Sequence, residues 1–128
     1  MPGKPEKGPK MKKRPLAYIT AAWSNDECEN ADRAAKYCDL AYKAGLHPFC
    51  PILNYPMFLK ATVPQEHKDM KDMAKEMLRR SAVLVVCGSA TDEDVMDDIA
   101  MARRFKVTTT TLDGIMLVKG KSSNEGKF

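Results

Sequence analysis

The sequence predicts an α/β fold, in which one domain is built around an open parallel sheet of four or five strands flanked by helices. Strand and helix patterns alternate along residues 15–112, which is typical of such a sheet. Residues 82–87 are continuously apolar and include three β-branched valines, as in a strand that helices cover on both faces. The chain has 128 residues, of which 44% are hydrophobic and 30% charged. This composition excludes disordered, collagenous and repeat proteins.

The first strand and helix are predicted within residues 16–45. Residues 16–20 read as a short strand. Ser24 and Glu27 then form a capping-box pattern, in which each side chain can satisfy a free backbone amide of the other, and this predicts a helix start. Gly45 predicts the end of the helix, because a glycine commonly occupies the first position beyond a helix terminus. The small and apolar residues between them recur every three or four positions, at Ala31, Ala34, Ala35, Cys38, Ala41 and Tyr42.

The next segment predicts a short strand, a loop and a second helix. Residues 47–53 are apolar but contain Pro48 and Pro51, so we expect a short strand that gives way to a loop over residues 54–63. Pro64 suits the first position of a helix that ends near Arg80. The buried stripe of that helix is predicted to comprise Met70, Met73, Ala74, Met77 and Leu78.

The last third of the chain completes the sheet. Residues 82–87 predict a central parallel strand, and a third helix follows with Val95, Ile99 and Ala102 facing inward. The threonine-rich residues 106–112 predict a further strand, and residues 113–118 a short helix or an edge strand. The whole order indicates a flavodoxin-like open sheet.

The charge distribution separates a tail from a folded body. The net charge is +4, but residues 1–14 hold six cations and one anion, which leaves −1 on residues 15–128. We therefore predict a flexible basic tail at residues 1–13, an α/β domain at 14–118 and a C-terminal tail at 119–128. A folded body with a slightly negative net charge gives no reason to expect a specific nucleic-acid partner.

Several function classes are not expected. No run approaches the roughly 18–20 apolar residues of a membrane helix, and no secretory signal pattern follows the basic start, so we expect a cytoplasmic protein without a membrane partner. The four cysteines form no CxxC pair, and no metal-ligand spacing is present. Neither a dinucleotide-binding nor a P-loop motif occurs, so we expect neither metal nor cofactor.

The candidate chemistry lies in the loops that follow the strands, because open parallel sheets bind ligands at the carboxyl ends of their strands. Ala22 and Trp23 follow the first strand, and Tyr55 follows the second. Gly88 and Ser89 follow the third, ahead of an acidic cluster that comprises Asp92, Glu93, Asp94, Asp97 and Asp98. Aromatic walls with carboxylates suit a planar base attached to a sugar. The acids could equally serve the helix alone, since each is stabilised by about 0.3–1 kcal/mol at a helix N-terminus.

Two motifs resemble those of nucleoside 2-deoxyribosyltransferases. Residues 17–23 (AYITAAW) are similar to their opening strand and loop, and residues 91–99 (TDEDVMDDI) to their acidic helix start. Residues 15–112 look closer still to a small, mostly phage and bacterial family of that fold, with its Pro-rich segment at 47–56 and its closing pattern at 98–104. The resemblance implies a carboxylate nucleophile at Asp98, oriented by Tyr18, and a contact from Asp92 to the sugar or the leaving base. It also implies a homo-oligomer, because relatives complete their pocket with residues of a neighbouring subunit.

Three functions remain open on the sequence. The first is an enzyme that cleaves or exchanges the N-glycosidic bond of a nucleoside or nucleotide. The second is a non-catalytic binding protein for a nucleotide-like metabolite or signal, which the aspartate at position 98 favours because the family has glutamate there. The third is a small assembly subunit. For the first two, the predicted catalytic residues are Asp98, Asp92 and Tyr18, and the predicted ligand-binding residues are Ala22, Trp23, Tyr55, Gly88, Ser89 and Asp94.

Overall fold

Four parallel strands form the sheet of the computed structural model, which describes residues 13–116. Their order across the sheet is β2-β1-β3-β4, so the sheet grows outward on both sides of the central pair β1 and β3. This confirms the predicted parallel α/β sheet. The bounds are β1 Leu16–Ala21, β2 His47–Phe49, β3 Val83–Cys87 and β4 Thr108–Thr111. The predicted tails lie outside the described residues, apart from Lys13.

The central strands β1 and β3 run side by side from Ala17 opposite Val83 to Ala21 opposite Cys87. The chain leaves β1 toward one edge of the sheet and leaves β3 toward the other. The connections therefore diverge where these two strands end, which is the place where ligands bind in open α/β sheets.

The helices cover the two faces of the sheet unequally. They are α1 Glu27–Lys43, the short α2 Pro51–Asn54, α3 Pro64–Arg80 and α4 Glu93–Arg104. On one face, Ala34 and Ala41 of α1 pack on Ile19 and Val85. On the other, Leu78 of α3 with Val95 and Ala102 of α4 pack on Leu84 and Val86. Since side chains alternate along a strand, Tyr18 and Thr20 share the α3/α4 face, while Ile19 and Ala21 face α1.

The predicted start of α1 needs a correction. Asp26, and not Ser24, is the N-cap, and its Oδ1 accepts a hydrogen bond from the backbone amide of Glu29 at 3.1 Å. Ser24 instead donates its hydroxyl to the carboxylate of Glu29 at 2.8 Å and accepts from the amide of Asp26. The acidic side chain that sits closer to the helix has taken the cap, and the serine supports it from outside.

The predicted strand and loop at residues 47–63 were also partly wrong. The strand β2 ends at Phe49, and Pro51 begins α2 because a proline at the first helical position sacrifices no hydrogen bond. A 3₁₀ turn, Tyr55–Met57, follows α2 directly. The segment after β2 is therefore ordered by local helical turns where a loop was expected.

The helices α1 and α4 end in the same way. Beyond α1, Gly45 has φ +98° and its amide bonds to Tyr42, while the amide of Leu46 bonds to Ala41, which confirms the predicted glycine stop. Beyond α4, the equivalent position is Lys106, with φ +61°. A lysine here adopts a backbone conformation that glycine accepts at lower cost.

The chain finishes with an edge strand and a helical segment. The strand β4 is shorter than the predicted 106–112, and residues 112–116 are helical. Leu112 packs into the core on the α1 face. Among the helices of the described region, none has the length and apolar character to cross a bilayer.

Candidate active site

A cavity of about 660 Å³ lies between α3 and α4, with Tyr18 of β1 among its lining residues. Because α3 and α4 cover the same face of the sheet, their facing stripes form the two walls. The α3 wall is mainly basic, and its charged residues are Lys68, Lys71, Asp72 and Lys75. The α4 wall is mainly acidic, and its charged residues are Asp94, Asp97, Asp98 and Arg104.

Asp98 is the most constrained acid in this cavity. Its Oδ2 accepts a hydrogen bond from the hydroxyl of Thr20 at 2.7 Å. Burial raises the pKa of the Asp98 carboxyl to about 6; the Thr20 bond opposes that rise, and the neighbouring charges of Asp94, Asp97 and Asp92 add to it. A carboxyl group in this condition can exchange its proton near neutral pH, which is what acid, base or nucleophilic chemistry requires.

Thr20 is a site residue that the sequence analysis missed. It is buried, with 4% of its surface exposed, in a strand whose other members are apolar or aromatic. The signal was present in its position, because Thr20 is two residues after Tyr18 and therefore shares its face of the sheet. A hydroxyl in a buried central strand needs a hydrogen-bond partner, and Asp98 supplies it.

Tyr18 lies beside Asp98 at the base of the cavity. Burial raises the pKa of the Tyr18 hydroxyl, and the negative charge of Asp98 raises it further, with smaller effects from Tyr55 and Cys50. The tyrosine therefore remains protonated and able to donate. Its ring begins a series of aromatic contacts, with centroid distances of 5.9 Å to Phe49, 6.0 Å from Phe49 to Tyr55 and 6.3 Å from Tyr55 to Phe58.

Asp92 caps the helix that carries Asp98. Its Oδ1 accepts hydrogen bonds from the backbone amides of Asp94 at 2.9 Å and Val95 at 3.2 Å. Within the described residues its Oδ2 has no hydrogen bond, and Asp92 is not among the residues that line the cavity. Asp94 is exposed and lines the cavity together with Asp98.

The other predicted binding residues gather at the ends of β1 and β3. Trp23 packs with the α1 side of the core, with its ring 6.3 Å from that of Tyr37 and the Arg33 guanidinium 5.5 Å from its centre. Gly88 has φ +77°, and a Cβ placed there would lie 3.8 Å from the Tyr37 hydroxyl. Ala22 and Ser89 are next to these residues in the chain, and Ser89 shares a 2.7 Å hydrogen bond with Thr91.

The structure thus brings Tyr18, Asp94 and Asp98 into one cavity, with Tyr55 joined to it through the aromatic series. Trp23 and Gly88 lie around Tyr37 on the α1 side of the sheet, whereas Asp98 lies on the α3/α4 side. Their contact with a ligand stays a prediction. Within residues 13–116, no three His, Cys, Asp or Glu residues converge to hold a metal ion.

Comparison with protein families gives one match, to the family described as a domain of unknown function (DUF7768), over residues 15–112. The chain belongs to DUF7768. The matched region begins just before β1 and ends just after β4, so the DUF7768 domain includes every element of the sheet and both walls of the cavity. No curated protein matches this sequence.

The DUF7768 fold is similar to that of a 2-deoxyribosyltransferase from the psychrotolerant bacterium Bacillus psychrosaccharolyticus, which is described as a biocatalyst for the synthesis of antiviral and antitumoral nucleosides. The TM-score is 0.63 at 10% sequence identity, and the match covers 75% of this chain and 70% of that chain. At this identity the likeness establishes a shared α/β architecture and a distant relationship of fold.

Proposed function

We propose that this protein cleaves or transfers at the N-glycosidic bond of a nucleoside or nucleotide, with Asp98 as the nucleophile. The observation that carries the proposal is the state of Asp98, a mostly buried carboxyl group that lines a cavity, accepts a bond from Thr20 and has a pKa of about 6. A structural carboxylate gains nothing from such a position, because burial penalises its charge. For a nucleophile the same position is an advantage, because its ionised oxygen is poorly solvated by water and is therefore more reactive.

The reaction proceeds in two displacements, as in retaining glycoside hydrolysis. An oxygen of ionised Asp98 attacks the anomeric carbon of the sugar, so a carbon–oxygen bond forms while the carbon–nitrogen bond to the base breaks. The base leaves with the bonding electron pair and takes up one proton from a nearby acid or from water in the open cavity. Water or a second base then attacks the anomeric carbon, loses its proton and releases the Asp98 carboxylate.

Tyr18 and Thr20 hold the nucleophile from the sheet side. The Thr20 hydroxyl donates to Oδ2, which leaves Oδ1 as the attacking atom. The Tyr18 hydroxyl lies close enough to Asp98 for the carboxylate charge to raise its pKa, and in the proposal it orients the carboxylate when a ligand is bound. The free Oδ2 of Asp92 anchors a sugar hydroxyl, and its Oδ1 keeps the cap of α4 in place.

The binding walls follow from the same arrangement. The sugar lies at Asp98, and the base extends over the carboxyl ends of β1 and β3, toward Ala22, Trp23, Gly88 and Ser89. Tyr55 bounds the opposite side through its contact with Phe49. The nucleoside-related role also has the support of the fold shared with a 2-deoxyribosyltransferase.

Incubation with a panel of ribo- and deoxyribonucleosides and their 5′-monophosphates tests the proposal, with free base measured by chromatography. We expect base release that Asp98→Ala abolishes and Asp32→Ala retains, because Asp32 is an exposed aspartate of α1, on the other side of the sheet from the cavity. No release at high protein concentration would reject catalysis. A ligand-dependent rise in melting temperature without release would instead support the non-catalytic binding protein.

We also propose that the protein is a homo-oligomer. Met57 and Phe58 support this, because they are 83% and 62% exposed and lie beside Tyr55, at the edge of the aromatic series that leads to Tyr18. Exposed apolar side chains that adjoin one another are typical of a surface that another chain covers. Light scattering coupled to size exclusion measures the mass, and Met57→Ser with Phe58→Ser should shift it toward the monomer.

A further inference from the structure

The α3 wall of the cavity concentrates positive charge on one stripe. Lys68, Lys71 and Lys75 occupy successive positions of that stripe and all line the cavity. Like charges three or four residues apart on a helix repel each other and destabilise it. Asp72 is the one acid of α3 among the residues that line the cavity; it forms an ion pair with Lys68 at 2.9 Å, and its charge interacts more weakly with that of Lys75. The stripe therefore carries more positive charge than the helix itself can neutralise.

The acids of the facing wall do not neutralise these lysines either. Every ion pair in the described part of the chain lies within a single helix, and none joins α3 to α4. Lys71 and Lys75 thus face Asp94, Asp97 and Asp98 across the cavity without direct contact. The separation leaves space for a ligand whose negative charge would neutralise the lysines of the α3 wall.

The ligand chemistry follows from the position of Asp98 on the other wall. A sugar that presents its anomeric carbon to Asp98 has one further substituent that is commonly anionic, the phosphate on its 5′ oxygen. The carboxylates of α4 repel that phosphate and the ammonium groups of α3 attract it, so the phosphate is directed to α3. Lysine binds phosphate as a point charge on a flexible stem, which suits a groove with open sides.

We propose that Lys71 and Lys75 bind the 5′-phosphate of a nucleoside 5′-monophosphate, and that this phosphate distinguishes the substrate from a nucleoside. The inference rests on the proposed function for the placement of the sugar at Asp98. Lys68 contributes less because Asp72 already holds it. Arg104 lies at the far end of the α4 wall, about 9 Å along the helix axis from Asp98 at a rise of about 1.5 Å per residue, and it takes no part.

Titration calorimetry of the full chain with deoxyribonucleoside 5′-monophosphates and with the matching nucleosides tests this proposal. The double variant Lys71→Gln with Lys75→Gln should weaken nucleotide binding by about a hundredfold, since it removes two charge-assisted contacts and each is worth roughly tenfold. Nucleoside binding should stay within about twofold of the parent protein. Glutamine retains helix propensity, so α3 should fold normally, and circular dichroism checks this.

The matched control is Lys36→Gln with Lys43→Gln, which removes the same charge from exposed positions on α1, across the sheet from the cavity. This control should bind nucleotides as the parent does. An equal loss in both double variants would show a general charge effect and overturn the proposal. Inorganic phosphate alone should compete only weakly, and competition as strong as that of the nucleotide would overturn the assignment of a nucleotide site.

The two proposals can fail separately. If nucleosides and nucleotides release base equally well and the α3 double variant changes neither, the phosphate inference is wrong and the glycosidic function stands. If nucleotides bind with the expected dependence on Lys71 and Lys75 but no base is released, the phosphate site stands and catalysis is rejected. Binding of neither class, to protein that is folded by circular dichroism, would overturn the phosphate inference.

Discussion

The hydroxyl of Thr20 on β1 donates a 2.7 Å hydrogen bond to Oδ2 of Asp98 on α4, across 78 residues of sequence. This contact holds an ionisable side chain against the centre of the sheet, where burial opposes its charge. The same bond moderates the penalty, because a donor favours the ionised carboxylate. Four predictions follow from the contacts of these and neighbouring residues.

Asp98→Asn should stabilise the protein at alkaline pH. Burial raises the pKa of Asp98 from 3.8 to about 6, so the folded state binds this proton more tightly than the unfolded chain does. Stability therefore falls as the pH rises from about 4 to about 6, and above that range the ionised group costs on the order of 3 kcal/mol. Asparagine is neutral throughout and can still accept from Thr20, so the variant should gain about 1–3 kcal/mol near pH 8.

Denaturant unfolding at two pH values measures this gain. Near pH 4 the carboxyl is almost fully protonated in the folded state and only about half ionised in the unfolded state, so the advantage of the variant should fall to roughly 0.5 kcal/mol. Asp32→Asn on α1 is the control, and as an exposed substitution away from Asp98 it should change stability by no more than about 0.5 kcal/mol. A gain of equal size at both pH values would contradict the assignment to the Asp98 charge.

Thr20→Val should raise the pKa of Asp98 further, because the lost hydrogen bond favoured the ionised form. If Asp98 is the nucleophile, base release declines below a pH near its pKa, and the valine variant should show that decline at higher pH. Thr20→Ser keeps the hydroxyl and should retain the parent profile. An NMR titration of the Asp98 carboxyl carbon measures this pKa directly and needs no substrate. Coincident titration curves for the valine and serine variants would contradict the role of the Thr20 hydroxyl.

Nucleotide binding should quench the fluorescence of Trp23. This residue is the only tryptophan in the chain, so its emission reports one position. If the base reaches the ends of β1 and β3, it stacks near the indole and alters its emission. Titration with a nucleotide, run beside a melting curve, checks the placement. A raised melting temperature with unchanged emission would mean that the base lies elsewhere in the cavity.

Lys106→Gly should stabilise the protein and Gly45→Ala should destabilise it, each by about 1 kcal/mol. Both positions follow a helix and have positive φ, at +61° for Lys106 and +98° for Gly45. Glycine adopts this conformation without the steric cost that a Cβ brings. Thermal unfolding should show a higher melting temperature for Lys106→Gly and a lower one for Gly45→Ala. Shifts of the same sign would contradict the assignment of these effects to the positive φ of both positions.

The order of strands and helices was predictable because it depends on patterns within single segments. The apolar run at β3, the periodic stripe of α1 and the glycine beyond it each carry their information locally. The N-cap of α1 was not resolved, since Ser24 and Asp26 both suit a cap and only the path of the chain into the helix selects between them. The helical turns after β2 were missed for a similar reason, because prolines suit both a loop and a helix start.

The candidate site was predictable only in part. Asp98 was identified through its motif, but its partner Thr20 was assigned to a strand and given no further role. The lysines of α3 were given no role in the sequence analysis, because their relation to Asp98 depends on how α3 and α4 lie beside each other. A pairing between distant segments leaves little trace in either segment alone.

The span of chain between Thr20 and Asp98 makes the site suitable as a reporter of assembly. A cut in the exposed stretch at residues 60–63 would leave β1 on one fragment and α4 on the other, so that neither piece alone could hold an oriented carboxylate. If the protein releases base as proposed, mixing the two fragments would restore that activity only if the sheet re-formed in register. If each fragment were fused to one of two interacting proteins, association of those proteins would bring the fragments together, and base release would report the association.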